Sequence, residues 1–231
     1  MFQKACKKIE QSLYGIMAHS VVSRVGDKSN INFTTGTGFM VDNGYIVTAA
    51  HLVHIESNIK GPTQQVFEVI NATEIGNQTE KATLIAEDIG RDIALLRIDN
   101  PRNEKTVTLE GSRVSRGESC GFLGFPLSGV VFLPDGKRNF GLTERFQSAY
   151  ISNYNKFPNI RGEMMDFYEI DALMYGGSSG CPGFIANSKV FGMQVASVMQ
   201  KGKDGQIGER VAISLVIPSR DIIHFIKLNK K

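Results

Sequence analysis

From about residue 18 onward the chain reads as short apolar runs, each stopped by Gly, Asn, Asp or Pro. Runs of that length suit strands and are too short for most helices, so this punctuation constrains the fold more than any other feature. Asp42-Asn43-Gly44 stands between Gly38-Phe-Met-Val41 and Tyr45-Ile-Val-Thr48, and Asn-Gly supplies the positive φ angles that a tight hairpin turn requires. Further strands are predicted at 66–70, 82–86, 93–98, 119–123, 148–153, 167–171, 183–186, 190–198 and 210–217. Many short strands with regular turns predict an all-β fold, closed or sandwich-like. Only the ends differ. Phe2, Cys6, Ile9, Leu13 and Ile16–Met17 fall near helical spacing, which predicts an amphipathic helix over 1–17 ahead of a main domain over 18–231. Residues 218–227, Pro-Ser-Arg-Asp-Ile-Ile-His-Phe-Ile-Lys, predict a closing helix with Ser219 as N-cap and Asp221 in its first turn. The stretch 126–147, with Pro126, Pro134 and Asp135-Gly136, predicts a long loop.

Composition narrows the partners. With 231 residues, 42% hydrophobic and 21% charged, the chain can bury a core, which excludes a disordered chain. A net charge of +3, scattered apart from short basic runs at the two ends, is too mild to argue for nucleic acid. No apolar stretch approaches the roughly 20 residues of a membrane span. Cys6, Cys120 and Cys181 are odd in number and lack metal-ligand spacing, so free thiols, no metal site and a reducing compartment are expected. The first residues show no secretory signal pattern, and the expected location is the cytoplasm. Asn32, Asn71 and Asn77 open glycosylation triplets that read as chance matches in that setting.

Three segments carry chemistry: Thr48-Ala-Ala-His51, Asp92-Ile-Ala-Leu-Leu-Arg-Ile98 and Gly177-Ser-Ser179-Gly-Cys-Pro182. They supply a base, an acid and a nucleophile. A serine hydroxyl is a weak nucleophile at neutral pH and needs a neighbouring base. A neutral imidazole can take its proton and return it to a leaving amine. A buried carboxylate fixes the imidazole tautomer and stabilises the imidazolium. Glycines beside the serine free the backbone to aim N–H groups at a developing oxyanion. His54, Asp88, Asp99, Ser178 and the thiol of Cys181 are the rival residues of the same types.

The ordered set Gly36–His51, Asp92–Ile98, Cys120-Gly-Phe-Leu-Gly-Phe-Pro126, Ile170–Phe184, Val190–Ser197 and Ala212–Asp221 resembles the trypsin-like serine peptidases, most of all the HtrA-like branch without a PDZ domain. The likeness spans roughly 18–227. It implies two six-stranded antiparallel β-barrels, over about 18–115 and 116–217, with short terminal helices and the active site in the cleft between barrels. It implies His51, Asp92 and Ser179 as the catalytic triad and the backbone N–H groups of Gly177 and Ser179 as the oxyanion hole. It also implies a pocket for the residue before the scissile bond, walled by Leu173-Met174-Tyr175, by Val195-Ala196-Ser197 beside Gln194, and by Ala212-Ile213-Ser214. No cofactor is implied, and the partner is a protein or peptide substrate.

Departures from the pattern matter too. Ser178 stands where relatives carry Asn or Asp, and Cys181 where they carry Gly. Ser178 cannot pair with a newly made N-terminus, so activation by zymogen cleavage is not expected. Two alternatives stay open in its place: gating by a bound regulatory protein, acting through the 126–147 stretch or the N-terminal helix, and plain constitutive activity. Leu173 stands where Arg- and Lys-specific relatives place an aspartate, which argues against basic specificity. The pocket lining favours Val, Ala, Leu or Met, with Gln194 as a competing polar reader. The alternative from another class is a pseudopeptidase that holds peptides without cutting them. All three triad side chains being present argues for the enzyme.

Overall fold

The computed structural model describes residues 2–22, 30–54, 63–74, 79–132, 138–159, 161–199 and 210–230. The chain opens with α1 (Gln3–Glu10), then β1 (Leu13–Val22), β2 (Asn30–Asp42), β3 (Tyr45–Thr48), α2 (Ala50–Val53), β4 (Thr63–Asn71), β5 (Glu80–Asp88) and β6 (Ile93–Arg97). These six strands close a barrel in the order β1-β2-β3-β6-β5-β4, sealed by the antiparallel β1–β4 pairing. There follow β7 (Thr108–Leu109), β8 (Ser119–Gly124), β9 (Gly129–Phe132), β10 (Arg138–Gly141), β11 (Arg145–Pro158), β12 (Met164–Ile170), β13 (Pro182–Ile185), β14 (Lys189–Met199), β15 (Arg210–Pro218) and α3 (Ser219–Asn229). The second sheet runs β13-β8-β11-β12-β15-β14, and a further β13–β14 pairing joins its ends into a ring, with β7 added parallel to β14. This is the double-barrel fold expected from the sequence.

The predicted helix over 1–17 is a correction. It ends at Glu10, and Leu13–Met17 belong to β1 of the first barrel. Leu13, Tyr14, Ile16, Met17 and Ala18 are all buried, so this strand is covered on both faces and shows no period-two alternation. An unbroken apolar run next to an amphipathic helix imitates a continuation of that helix. The predicted loop over 126–147 is also corrected: β9 and β10 form an antiparallel hairpin within it, from Gly129↔Gly141 to Phe132↔Arg138. Ser219 is the first residue of α3 rather than its cap, and its hydroxyl donates to the Glu110 carbonyl. Asn71, which opens a glycosylation triplet, is fully buried and donates to the carbonyls of Gln11 and Leu13 at 3.1 Å each.

One apolar cluster fills the first barrel and runs across to Phe125, Phe184, Met193 and Phe225. A second, around Phe122, Ile151, Tyr168, Ile170 and Phe191, fills the other barrel. The loops at the junction of these two cores are therefore held on rigid strand ends, which is what precise placement of reacting groups demands.

Between α1 and the segment leading into β11 lies Glu144. Burial, and next the charge of Glu10, push its pKa up to about 7, and one of its carboxylate oxygens is buried without a partner among the described residues. A carboxyl group whose folded pKa lies above its unfolded value stabilises the fold at low pH and loses that contribution as pH rises through the folded value. Glu144→Gln is therefore expected to leave the melting temperature unchanged near pH 4.5 and to raise it at pH 8. Melting curves of both proteins at the two pH values check this.

Candidate active site

His51 is the second residue of α2, so its backbone N–H belongs to the first helical turn and has no partner within the helix. Asp92 takes it. One carboxylate oxygen accepts the His51 N–H at 2.8 Å, and the other meets His51 Nδ1 at 2.7 Å. With Asp92 accepting at Nδ1, a neutral ring carries its proton there and turns Nε2 outward as a lone-pair acceptor. Asp92 reaches this position because it lies in the β5–β6 turn with φ +55, a left-handed conformation that Asp tolerates better than most residues.

Ser179 follows a tightly built loop. Gly177 and Gly180 have φ of +91 and +83. A Cβ on Gly177 would lie 2.3 Å from the Phe125 carbonyl oxygen, and one on Gly180 would lie 2.0 Å from the Thr37 carbonyl oxygen. Only glycine fits at either place. The carbonyl of Gly176 accepts the Leu127 N–H at 2.6 Å, and the carbonyl of Ser178 accepts the Cys181 N–H at 2.9 Å. In a trans peptide the N–H points opposite to the C=O. Those two bonds therefore orient the N–H groups of Gly177 and Ser179, and neither N–H donates to another residue among the described ones.

Thr37 ties this loop to the first barrel, a role that sequence reasoning missed. Its N–H donates to the Ser179 carbonyl at 2.9 Å, its hydroxyl donates to the Gly177 carbonyl at 2.8 Å, and that same oxygen accepts the Phe125 N–H at 3.0 Å. Thr48, just before Ala49-Ala50-His51, donates to the Thr37 carbonyl at 2.7 Å. Both threonines are fully buried. Thr37→Val keeps the shape but leaves a buried carbonyl and a buried N–H unpaired, at a cost of about 2–4 kcal/mol in stability. Denaturant titration reads that loss. A kcat that falls with KM little changed would separate the effect on the nucleophile loop from the effect on the fold.

The rivals are otherwise engaged. His54 caps α2, with Nδ1 3.1 Å from Glu87 Oε1. Asp88 pairs with Arg91 at 2.8 Å, and Asp99 is 85% exposed beside Arg97. Ser178 is buried. Cys181 is fully buried, and desolvation raises its thiol pKa so far that the nucleophilic thiolate is suppressed. Cys120 behaves alike, pushed up to about 12 by burial. All three cysteines are free thiols.

The segments expected to wall the substrate pocket do come together. Ser197 Oγ donates to the Met174 carbonyl at 3.1 Å, Ser214 Oγ to the Ala172 carbonyl at 2.8 Å, and the two hydroxyls lie 3.3 Å apart. Leu173 is half-buried, and its carbonyl accepts from the Gln147 side chain at 3.2 Å. Tyr175 and Ala212 are exposed, Ile213 is partly buried, and Val195 is buried. Gln194 is buried; its amide nitrogen donates to the Ala196 carbonyl at 3.2 Å, while its oxygen has no partner among the described residues. A larger cavity, about 640 Å³, opens beside His51 and Asp92. Ile89, Phe157, Pro158, Phe167 and Leu215 line it, none of them picked out from the sequence. Phe157 and Phe167 meet edge to face, centroids 6.2 Å apart.

The sequence profile of the trypsin-like peptidase domain matches residues 36–193, which holds His51, Asp92 and Ser179. This chain is a trypsin-like peptidase. Among curated proteins, the peptidase is 28% identical to a probable periplasmic serine endoprotease DegP-like of Bartonella henselae, over 77% of this chain and 30% of that protein. It is 27% identical to the Rickettsia conorii protein of the same description, over 89% of this chain and 35% of that protein. Against serine protease HTRA1A of Danio rerio it is 27% identical, over 87% of this chain and 36% of that protein. The chain spans about a third of the length of these relatives, which place its likeness in the HtrA branch read from the sequence. Among solved structures, the active form of the Rv3671c protease from M. tuberculosis superposes with a TM-score of 0.70 at 19% identity, covering 98% of this chain and 84% of that one. That likeness is of fold. The bacterial relatives are named periplasmic, which does not support the cytoplasmic location expected from the sequence. No helix among the described residues is long and apolar enough to cross a membrane.

Proposed function

We propose that this peptidase is a serine endopeptidase using His51, Asp92 and Ser179. The observation that carries the reading is the double contact of Asp92 with the His51 backbone and ring, together with a nucleophile loop whose Gly177 and Ser179 N–H groups are oriented and have no acceptor among the described residues. Ser179 Oγ attacks the substrate carbonyl as His51 Nε2 takes its proton. The N–H groups of Gly177 and Ser179 receive the oxyanion. His51 then protonates the leaving amine, and water, deprotonated by the same ring, releases the acid from the acyl-enzyme. Asp92 stays ionised throughout and stabilises the imidazolium. The loop is fixed from within the described residues by Thr37, Leu127 and Cys181, which supports an enzyme that needs no zymogen cleavage.

Substrate choice follows from the walls. Ser197 bridges to Met174 across the pocket for the residue before the scissile bond, which favours short apolar side chains there. Leu173 itself offers no carboxylate to pair with a Lys or Arg, and an unpaired buried charge costs several kcal/mol. Gln194 gives one amide N–H to Ala196 and leaves its side-chain oxygen without a partner among the described residues, an acceptor that suits the amide of a Gln or Asn side chain. The cavity lined by Phe157, Phe167 and Leu215 takes bulky apolar residues further toward the substrate N-terminus. A randomised peptide library, with cleaved bonds read by mass spectrometry, tests all of this. Cuts after Val, Ala, Leu or Met, absent with Ser179→Ala, are expected. Dominant cleavage after Arg or Lys would overturn the pocket reading. A Gln preference lost in Gln194→Ala would transfer specificity to that side chain. Peptides retained uncut by the wild-type protein would favour a holding role over hydrolysis.

A further inference from the structure

Two histidines line the cavity of about 640 Å³ beside Asp92, each held by a carboxylate, and the reaction uses only one of them. His51 Nδ1 meets Asp92 at 2.7 Å. Directly after α2, His54 Nδ1 meets Glu87 Oε1 at 3.1 Å, the same arrangement made a second time with a residue near the end of β5. The other oxygen of Glu87 is buried without a partner among the described residues, so this carboxylate is committed to the His54 ring. The two nitrogens of an imidazole diverge across the ring. A neutral His54 therefore carries its proton on Nδ1, toward Glu87, and leaves Nε2 as a lone-pair acceptor. Nε2 has no partner among the described residues, and the side chain is 34% exposed in the cavity wall.

The other polar side chains of this wall are already engaged. Asp88 accepts from both the backbone N–H and the guanidinium of Arg91. The Asn159 side chain closes its own turn, accepting from the N–H groups of Arg161 and Glu163 and donating to the Glu163 carboxylate. Phe157, Phe167 and Leu215 make the wall apolar elsewhere. A roomy apolar cavity with one uncommitted side-chain acceptor asks for a large apolar body that ends in a hydrogen-bond donor. Leucine and phenylalanine lack the donor, serine and threonine lack the body, and lysine brings a charge into an apolar wall. A phenol supplies both parts, a ring for the aromatic wall and a hydroxyl for the nitrogen. We propose that His54 is a specificity-determining residue that selects tyrosine in the substrate, at one of the three positions preceding the residue held between Met174 and Ser197. The tyrosine ring lies along Phe157, Phe167 and Leu215, its hydroxyl donates to His54 Nε2, and Glu87 positions the imidazole. The selection rests on the reading of Ser179 as nucleophile and narrows the bulky apolar class at this cavity to one residue.

The test uses quenched fluorescent peptides built on the best library sequence, with Tyr, Phe or O-methyltyrosine placed in turn at each of the three positions and cleaved at pH 8 by the full-length protein. O-methyltyrosine keeps the ring and the oxygen but cannot donate. At one position Tyr is expected to exceed both others in kcat/KM by about tenfold, the scale of one hydrogen bond. In His54→Leu the ratio of Tyr to Phe should fall to about one. His54→Gln, whose amide keeps an acceptor, should retain a reduced preference for Tyr. Labelling of Ser179 by a fluorophosphonate shows that the site of each variant is assembled. Equal cleavage of Tyr and Phe peptides at all three positions would overturn the proposal, and so would O-methyltyrosine cleaved as well as Tyr. A Tyr preference undiminished in His54→Leu belongs to another residue and overturns it too. A wild-type Ser179 that never labels overturns the peptidase reading beneath it, whereas a Ser179 that labels in a protein blind to the Tyr hydroxyl overturns the selection alone.

Discussion

Ser179→Ala, or equally His51→Ala, is expected to lower kcat by roughly 10⁶-fold, the scale on which a serine peptidase loses its triad as a unit. The two losses should not multiply in the double variant. Without the imidazole, Ser179 has no route for its proton; without the hydroxyl, the imidazole has nothing to activate. The residue of activity should come from the N–H groups of Gly177 and Ser179, which remain oriented through Leu127 and Cys181 whichever side chain is removed. KM should move little, since neither side chain walls the pocket between Met174 and Ser197. Initial rates on the best library peptide, with a contaminant-free Ser179→Ala preparation as the floor, check this.

Asp92→Asn is expected to cost about 10⁴ in kcat. Asn can keep the left-handed φ of +55 at this turn and can still accept the His51 N–H through its carbonyl oxygen, so the β5–β6 turn should persist. The other contact then inverts. An amide nitrogen facing His51 Nδ1 donates a proton where the carboxylate accepted one, so the ring carries its proton on Nε2 and cannot take one from Ser179. A near-native melting temperature together with the large loss in kcat identifies a tautomer effect. Asp92→Ala, which leaves the His51 N–H without its acceptor, should lower the melting temperature as well.

Much of this site was legible in the sequence because each part is local. An acid just before a continuous apolar strand, a histidine closing Thr-Ala-Ala-His, and glycines around Ser179 each mark their own backbone requirement. Gly177 and Gly180 announce positive φ angles that no other residue could take at those close approaches. What stayed hidden depends on distant segments meeting. Thr37 acts through hydrogen bonds with Phe125, Gly177 and Ser179, and Leu127 through one to Gly176, all far along the chain, and neither residue has a spacing that signals it. Phe157 and Phe167 become a cavity wall only once β11 and β12 pair, with Asn155 opposite Phe167. The error over residues 13–17 has the same origin. A strand buried on both faces has no polar face to mark its period, so its identity comes from its neighbours β2 and β4 and not from its own residues.

Labelling with a fluorophosphonate probe, followed by peptide mapping, tests the central assignment without any knowledge of the natural substrate. One adduct is expected, on Ser179, formed far more slowly in His51→Ala and absent in Ser179→Ala. An adduct that persists in Ser179→Ala, or that maps to Ser178, would contradict the triad.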